Sequence, residues 1–145
     1  MNQETVSNTL DIQRLAGKIS NSEGNPAEQK QFFTRDVQIR IYMGDEMVLE
    51  IRGLANYERS LKPFTNMLKR VHCMNGQHVI DFLTKDTATG LLFCRIAHVT
   101  EENGTTYITD YCVYCEDIYE NKNGQWLVKA RDAHYLISDK HVLGN

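Results

Sequence analysis

The spacing of apolar residues changes character about halfway along the chain. In the first half, the segment TVSNTLDIQRLAGKI carries apolar side chains at helical intervals: Val6, Leu10, Ile12, Leu15 and Ile19. Asn25 followed by Pro26 is a suitable cap and first turn for a short second helix in PAEQKQFF. The pattern therefore predicts two helices at the start of the chain.

A strand hairpin and a third helix are predicted next. VQIRIY alternates apolar and polar residues as a strand does, the turn at Gly44 and Asp45 reverses the chain, and MVLEIRG returns. The segment LANYERSLKPFTNMLKR, residues 54–70, then predicts a helix with Pro63 as a kink. Its apolar residues share one side: Leu54, Tyr57, Leu61, Phe64 and Leu68.

From residue 71 onward the pattern predicts one strand after another. Asn103 with Gly104, and Asn123 with Gly124, are turns of the kind that join hairpin strands. Helices first and a meandering antiparallel sheet after them are typical of the α+β class. The sequence therefore predicts one α+β domain over residues 1–145, with a curved sheet wrapped around helices.

The two Asn-Gly turns predict which strand residues share a face, because residues directly opposite each other in a ladder point the same way. Counting outward from the turns gives an apolar, inner face: Leu92, Cys94, Ile96, His98, Thr109, Tyr111, Val113, Cys115, Asp117, Trp126, Val128, Ala130, Asp132 and His134. The outer face then carries Arg95, Asp110, Glu116, Lys129 and Arg131. A bulge would shift this count for every residue beyond it.

Composition narrows the classes of function. Apolar residues make up 41% of the 145 positions and charged residues 24%, the balance of a globular domain. The net charge is −3 and the basic residues are scattered, so a nucleic-acid partner is not expected. No apolar run is long enough to span a membrane, and the polar N-terminus does not resemble a signal peptide. A cytoplasmic protein without a membrane partner is predicted.

The four cysteines are predicted to be reduced thiols. Cys112 and Cys115 form a CxxC, but it lies in an alternating strand, where residues three apart point to opposite faces. We therefore expect no chelate or redox bridge from this pair. No local spacing of ligands such as HExxH supports a metal site, and no cofactor is predicted.

The order of elements resembles the NTF2-like (cystatin-like) superfamily and, in particular, its SnoaL-like branch. That branch ends in a Tyr- and acid-rich strand, a charged turn and a Trp, matched here by Tyr114, Glu116, Asp117, Tyr119, Asn123, Gly124 and Trp126. His72 to Gly76 resembles the segment after the third helix of that branch. ATGLLFCRIAHV resembles the next strand of the scytalone dehydratases, which ends in an inward His. The resemblance implies a cone that encloses a pocket.

The resemblance also implies a pair of catalytic histidines, His72 and His98, with His98 as the first candidate for general base. In the dehydratases a Tyr polarises the carbonyl, and Tyr42 lies near the matching position, although the alternation of Val37, Ile39 and Ile41 would turn it outward. The dehydratases carry a Tyr-Asp pair after the first helix, which GKISNSEGN lacks. Asp117 or Asp132 is expected to orient the histidines instead.

Two hypotheses follow. The first is a lyase or isomerase without a cofactor, acting on an enolisable, aromatic or polyketide-like molecule in an apolar pocket. Besides the histidines, its predicted ligand-binding residues are Tyr42, Leu92, Ile96, Thr109, Tyr111, Val113, Cys115, Asp117, Val128 and Asp132, with Phe32 and Leu61 from the helices. The second is a non-catalytic domain that binds a small hydrophobic ligand or a protein partner through the same cone.

The outer sheet face predicts self-association. Apolar residues alternate with the inner ones along the longest strand: Ile108, Cys112, Tyr114 and Ile118. Because this row is too apolar to leave in water, we expect a homodimer in which these faces pack, with a trimer as the alternative.

Overall fold

The computed structural model describes residues 2–144, which form three α-helices and six β-strands. The helices are α1 (Gln3–Asn21), α2 (Pro26–Gln29) and α3 (Tyr57–Thr65), with 3-10 turns at Lys30–Phe32 and Leu54–Asn56. The strands are β1 (Phe33–Met43), β2 (Glu46–Arg52), β3 (Leu68–Phe82), β4 (Thr87–Glu102), β5 (Thr105–Lys122) and β6 (Gln125–Val142). The predicted order of elements is confirmed.

The third helix is shorter than the sequence predicts. It ends at Thr65, and Leu68 already pairs with Thr100 of β4, whereas the apolar pattern extended the helix to residue 70. Pairing in the sheet supplies backbone hydrogen bonds to this segment, so tertiary contacts override its helical pattern.

The first helix begins and packs as its sequence indicates. The side chain of Asn2 accepts a hydrogen bond from the backbone N–H of Thr5 and caps the helix. Its buried stripe consists of Ile12, Leu15, Ala16 and Ile19. Val6 and Leu10, which the same pattern predicted for that stripe, are exposed. The second half of α1 is therefore the part that enters the core.

The strands form one curved, unclosed sheet in the order β2-β1-β6-β5-β4-β3. All neighbours pair antiparallel except β1 and β6, which run parallel. The helices pack against one face of this sheet, so the predicted α+β cone is confirmed.

The predicted register between β4 and β5 is confirmed over the whole pair. Asn103 and Gly104 both have positive φ, 51° and 80°, as a two-residue hairpin turn requires. His98 pairs with Thr109, and Leu92 pairs with Cys115. His98 therefore faces inward, while Arg95 is exposed on the outer face.

The predicted register between β5 and β6 is wrong beyond its first residues. Tyr119 pairs with Val128 as expected, but bulges follow at Ile118/Tyr119 and at Cys112/Val113. The extra residue places Arg131 opposite Asp117 on the inner face. The predicted inner residues Ala130, Asp132 and His134 consequently belong to the outer face, because each bulge reverses the alternation beyond it.

Two further predicted site residues also lie on the outer face. On β3, Cys73 pairs with Ile96 and shares its inward direction, so the neighbouring His72 points outward and is exposed. Tyr42 on β1 stacks on the ring of His134, with 4.7 Å between centroids. The prediction that Tyr42 and His72 line an inner pocket is therefore wrong.

The interior consists of two packed clusters. The first joins the α1 stripe to Val37, Tyr57, Tyr119 and Val128, with Phe32 and Leu61 at its margin. The second lies around Ala16 and contains Leu92, Cys94, Ile96, Val113, Cys115 and Ala133, with Cys73, Tyr111 and Tyr135 partly buried against it. The predicted apolar lining is thus divided between two clusters: Val128, Phe32 and Leu61 pack in the first and Leu92, Ile96 and Val113 in the second.

Candidate functional site

A histidine and a carboxylate face each other at the margin of the second cluster. Nε2 of His98 lies 3.6 Å from Oε1 of Glu23, and their side chains keep 19% and 23% of their surface exposed. Nε2 is buried and has no hydrogen-bond partner within residues 2–144. The two groups become an ion pair whenever the imidazole is protonated.

The chain directs Glu23 toward the sheet through a tight turn after α1. Gly24 adopts a φ of 83°, and a Cβ at this position would lie 3.3 Å from the side chain of Val71 on β3. Only a residue without a side chain fits such a turn without strain. Glu23 is therefore held close to β3 and β4.

Two hydrogen bonds tie the end of α1 to β3. The hydroxyl of Ser20 donates to Oδ1 of Asn75 at 2.6 Å, and Nδ2 of Asn75 donates to the carbonyl of Ala16 at 3.3 Å. These bonds fix the distance between the helix end and the strand that carries Cys73. They also position the turn that presents Glu23.

Two tyrosines extend the site along the inner face. The ring of Tyr111 meets His98 edge to face, with centroids 5.3 Å apart, and meets Tyr135 in the same way at 5.1 Å. Burial, assisted by the charge of Glu23, raises the pKa of Tyr135 well above its usual range. Its phenol therefore remains a hydrogen-bond donor at neutral pH.

A second ionic group lies deeper on the same face. Nε and Nη2 of Arg131 donate to the two oxygens of Asp117 at 2.7 and 2.8 Å. Burial opposes the charge of the guanidinium, but Asp117 outweighs it and keeps the pKa of Arg131 well above its ordinary value. The hydroxyl of Tyr119 also donates to Asp117, at 2.8 Å, and lies 2.9 Å from Nε2 of His78.

The charges of Glu23 and Arg131 both affect the pKa values of the same interior groups. Burial is the main cause of the raised pKa of Tyr57, and the charges of Glu23 and Arg131 shift that pKa in opposite directions. The same two charges act in opposite directions on Cys73. Glu23 and Arg131 therefore bring opposite charges to bear on the same interior groups.

Eight of the ten predicted ligand-binding residues lie on the inner face: Leu92, Ile96, Thr109, Tyr111, Val113, Cys115, Asp117 and Val128. Asp117 is engaged by Arg131 and Tyr119. Asp132 forms a bidentate ion pair with Arg40 on the outer face. The carboxylate beside His98 is Glu23, so the prediction that Asp117 or Asp132 orients this histidine is wrong.

Sequence reasoning missed four inner residues: Glu23, Cys73, Arg131 and Tyr135. A signal existed for Glu23, since it is the acid in the turn after α1, where the dehydratases carry theirs. Arg131 and Tyr135 follow the first bulge of β6, which leaves no mark in the alternation of residue types. Cys73 was passed over in favour of its neighbour His72.

The site offers acid–base chemistry rather than an evident ligand set for a metal. Among residues 2–144, no group of three or more His, Cys, Asp or Glu side chains is arranged to hold a metal ion. No helix in that range is both long and apolar enough to cross a membrane. What remains is an imidazole with a free nitrogen, a carboxylate beside it, phenol donors and a guanidinium.

Solved structures with the same architecture include several enzymes. A proposed scytalone dehydratase from Novosphingobium aromaticivorans matches with a TM-score of 0.82 and 16% identity, covering 99% of this chain and 94% of that one. A hexachlorocyclohexane dehydrochlorinase from Novosphingobium barchaimii matches with a TM-score of 0.71 and 10% identity, covering 98% and 94%. A Nostoc punctiforme protein of unknown function with a cystatin-like fold matches with 0.68 and 15%, covering 88% and 90%.

At these identities the likeness establishes the fold, which is the cystatin-like cone of the NTF2-like superfamily. No curated protein matches the sequence significantly. The family model described as "SnoaL-like domain" matches residues 11–132, which is most of the chain. The chain therefore belongs to the family of SnoaL-like domains.

Proposed function

We propose that the protein is a lyase or isomerase that transfers a proton on a small, enolisable molecule, with His98 as the general base and Glu23 as its carboxylate partner. The family and the dehydratase and dehydrochlorinase neighbours support a small-molecule reaction of this type. The predicted partner of His98 was His72, and Glu23 now takes that place.

One observation carries the proposal: Nε2 of His98 is buried, has no hydrogen-bond partner within residues 2–144, and lies 3.6 Å from the carboxylate of Glu23. A buried polar atom left unpaired costs about 1–3 kcal/mol of stability. Such a cost is common where a group must be free to act on a ligand.

In the proposed reaction, Nε2 of His98 removes a proton from the carbon next to a carbonyl group. Glu23 stabilises the imidazolium that forms, because the opposite charge lies within ion-pair distance. The phenol of Tyr135, which reaches the site through its contact with Tyr111, donates a hydrogen bond to the oxygen that gains negative charge. The protonated His98 then returns the proton to a leaving hydroxyl or to another carbon.

The surroundings of His98 support an apolar, aromatic or polyketide-like substrate. The rings of Tyr111 and Tyr135 provide flat contact surfaces, and Ile96 and Val113 supply apolar ones on the same face. Few polar groups interrupt this lining. This composition is typical of pockets that fix a largely apolar ligand through a small number of hydrogen bonds.

The test measures the exchange of α-hydrogens for deuterium in two aromatic ketones, 1-indanone and 1-tetralone, by NMR in D₂O. The wild-type protein should accelerate exchange above the buffer rate. The variant His98→Gln should lose at least about 10²-fold of this acceleration, the usual contribution of a general base. The variant Glu23→Gln should lose part of it.

A matched control lies on the outer face, where Nε2 of His134 is 2.9 Å from Oε1 of Glu116. The variant His134→Gln removes an imidazole paired with a carboxylate but should leave exchange unchanged. Exchange at the buffer rate with both ketones, or an unchanged rate in His98→Gln, would contradict the proposal. Saturable ketone binding without any exchange would support the alternative of a ligand-binding domain.

A further inference from the structure

The inner face next to His98 carries a thiol that the proposed proton transfer does not use. Cys73 pairs with Ile96, and His98 pairs with Val71, so Cys73 and His98 are diagonal neighbours on two adjacent strands. Diagonal neighbours in an antiparallel pair lie about 7 Å apart, close enough for one small molecule to touch both.

Cys73 differs from the three other cysteines in combining an inward direction with partial exposure. Cys94 and Cys115 also face inward, but they are buried. Cys112 is half-buried like Cys73, but it faces outward, since it pairs with Arg95. All four thiols are free. Cys73 is therefore the inward thiol that a bound molecule can reach.

We propose that Cys73 is a second reactive group of this site, which adds to the β-carbon of α,β-unsaturated carbonyl compounds while His98 carries the proton. The inference rests on the proposed function, since it assumes that carbonyl compounds bind beside His98. Elimination of water or halide from β-hydroxy or β-halo carbonyl compounds yields conjugated enones. The thiol would therefore meet the products of such eliminations.

The addition conserves atoms and electrons without any oxidant or reductant. The thiol proton leaves to solvent, and the thiolate of Cys73 forms a sulfur–carbon bond at the β-carbon. The electron pair of the carbon–carbon double bond passes to the carbonyl as an enolate, and the α-carbon then takes a proton from His98, which regains one from solvent. The reverse sequence releases the enone and restores the thiol.

The environment of the sulfur favours its reactive form. The pKa of Cys73 is lowered, chiefly by a hydrogen bond with Cys94 and further by Ser20 and by the charge of Arg131, against burial and Glu23. The contacts of Cys94 with Cys115 and Cys73 strongly raise the pKa of its thiol, so Cys94 stays protonated beside Cys73. Thiolates rather than thiols are the nucleophiles in additions of this kind.

The experiment uses cyclohex-2-en-1-one, a weak electrophile, with the whole protein and follows adducts by intact and peptide mass spectrometry. We expect one adduct, on Cys73, formed about tenfold faster than any adduct on Cys112. The rate should saturate with enone concentration, and the saturated analogue cyclohexanone should slow it by competing for the site. The variant His98→Gln should slow labelling of Cys73 by about tenfold, because the proton carrier is lost.

The variants Cys73→Ser and Cys112→Ser form the matched pair, with folding checked by circular dichroism. The adduct should disappear in the first and persist in the second. Labelling of Cys112 as fast as Cys73, or a rate that rises linearly with enone and ignores cyclohexanone, would overturn the proposal. Ketone exchange without an adduct would contradict the thiol role alone, whereas an adduct without exchange would contradict only the proton transfer to and from ketones.

Discussion

At the scale of single residues, two histidines of the interior differ in one respect. Nε2 of His98 is buried without a hydrogen-bond partner within residues 2–144, whereas Nε2 of His78 lies 2.9 Å from the hydroxyl of Tyr119. Burial lowers the pKa of His78, which favours the neutral ring that this hydrogen bond accommodates. Removal of the His98 imidazole should therefore not lower the stability, whereas removal of the His78 imidazole should lower it.

The variant His98→Leu should keep or raise the free energy of unfolding, by up to about 1 kcal/mol, because no hydrogen bond to Nε2 is lost. Binding of 1-tetralone should be lost at the same time. The matched variant His78→Leu removes the partner of Tyr119 and should lower stability by about 1 kcal/mol. Urea unfolding and ligand titration measure both effects. A clear drop in stability for His98→Leu, with no ligand bound by the wild type, would make His98 a structural residue.

Prediction of which residues face inward succeeded on β4 and β5, including His98, and failed on β3 and on most of β6. His98 was placed correctly because a two-residue turn sets the register of β4 and β5 without a bulge. On β3, bulges interrupt the ladder and the inward residue is Cys73, one position from the predicted His72. Glu23 was not considered because the resemblance implied a Tyr-Asp pair in GKISNSEGN, yet this glutamate places a carboxylate 3.6 Å from the imidazole.

At the scale of elements, β4 packs so closely against the side chain of Tyr119 that no further atom fits between them. Tyr119 on β5 is fully buried, pairs with Ala88, and reaches along the inner face over Gly90. A Cβ at Gly90 would lie 2.6 Å from this ring and its hydroxyl. The same hydroxyl bonds to Asp117, so the position of the ring and of the buried ion pair depend on each other.

The variant Gly90→Ala should therefore lower the free energy of unfolding by about 1–3 kcal/mol, as expected when a packed core is overfilled. The displaced ring should also weaken the bond between Tyr119 and Asp117. The control Gly76→Ala places a Cβ at 3.5 Å from the carbonyl of Phe93, an ordinary contact, and should change stability little. Thermal or urea unfolding measures both, and equal stability of the two variants would contradict the argument.

The secondary-structure elements were predictable from the sequence, but the bulges between β5 and β6 were not. The α+β order, the hairpins and the β4–β5 pair follow from periodicity and turn residues, which act locally. The β5–β6 bulges bend the strand locally, as bulges in curved sheets do, and the alternation of β6 carries no sign of them. One extra residue there brings Arg131 to the buried Asp117 and sends Asp132 outward to Arg40.

At the scale of the whole molecule, the outer sheet face exposes several apolar and aromatic side chains among its charged ones. Ile118, Phe93 and Val79 keep 41%, 39% and 54% of their surface exposed. His134 is stacked between Tyr42 and Tyr114, with centroids 4.7 and 4.5 Å away. A depression of about 460 Å³ on this side is lined by the apolar Val79, Leu91 and Ile118 together with the charged Arg40, Asp81, Glu116 and Asp132. Exposed patches of this kind mark association surfaces.

We therefore expect a homodimer in which two outer sheet faces pack together, and sedimentation at micromolar concentration to give the mass of two chains. The variant Ile118→Lys places a charge in the middle of this face and should shift the protein to monomers while leaving its circular dichroism unchanged. The control Phe64→Lys adds the same charge on α3, where Phe64 is 59% exposed, and should leave the dimer intact. If the wild type is a trimer and Ile118→Lys dissociates it, the outer face is still the interface, but the assembly has threefold rather than twofold symmetry. A monomeric wild-type protein, or a dimer that survives Ile118→Lys, would show that this face is not the interface.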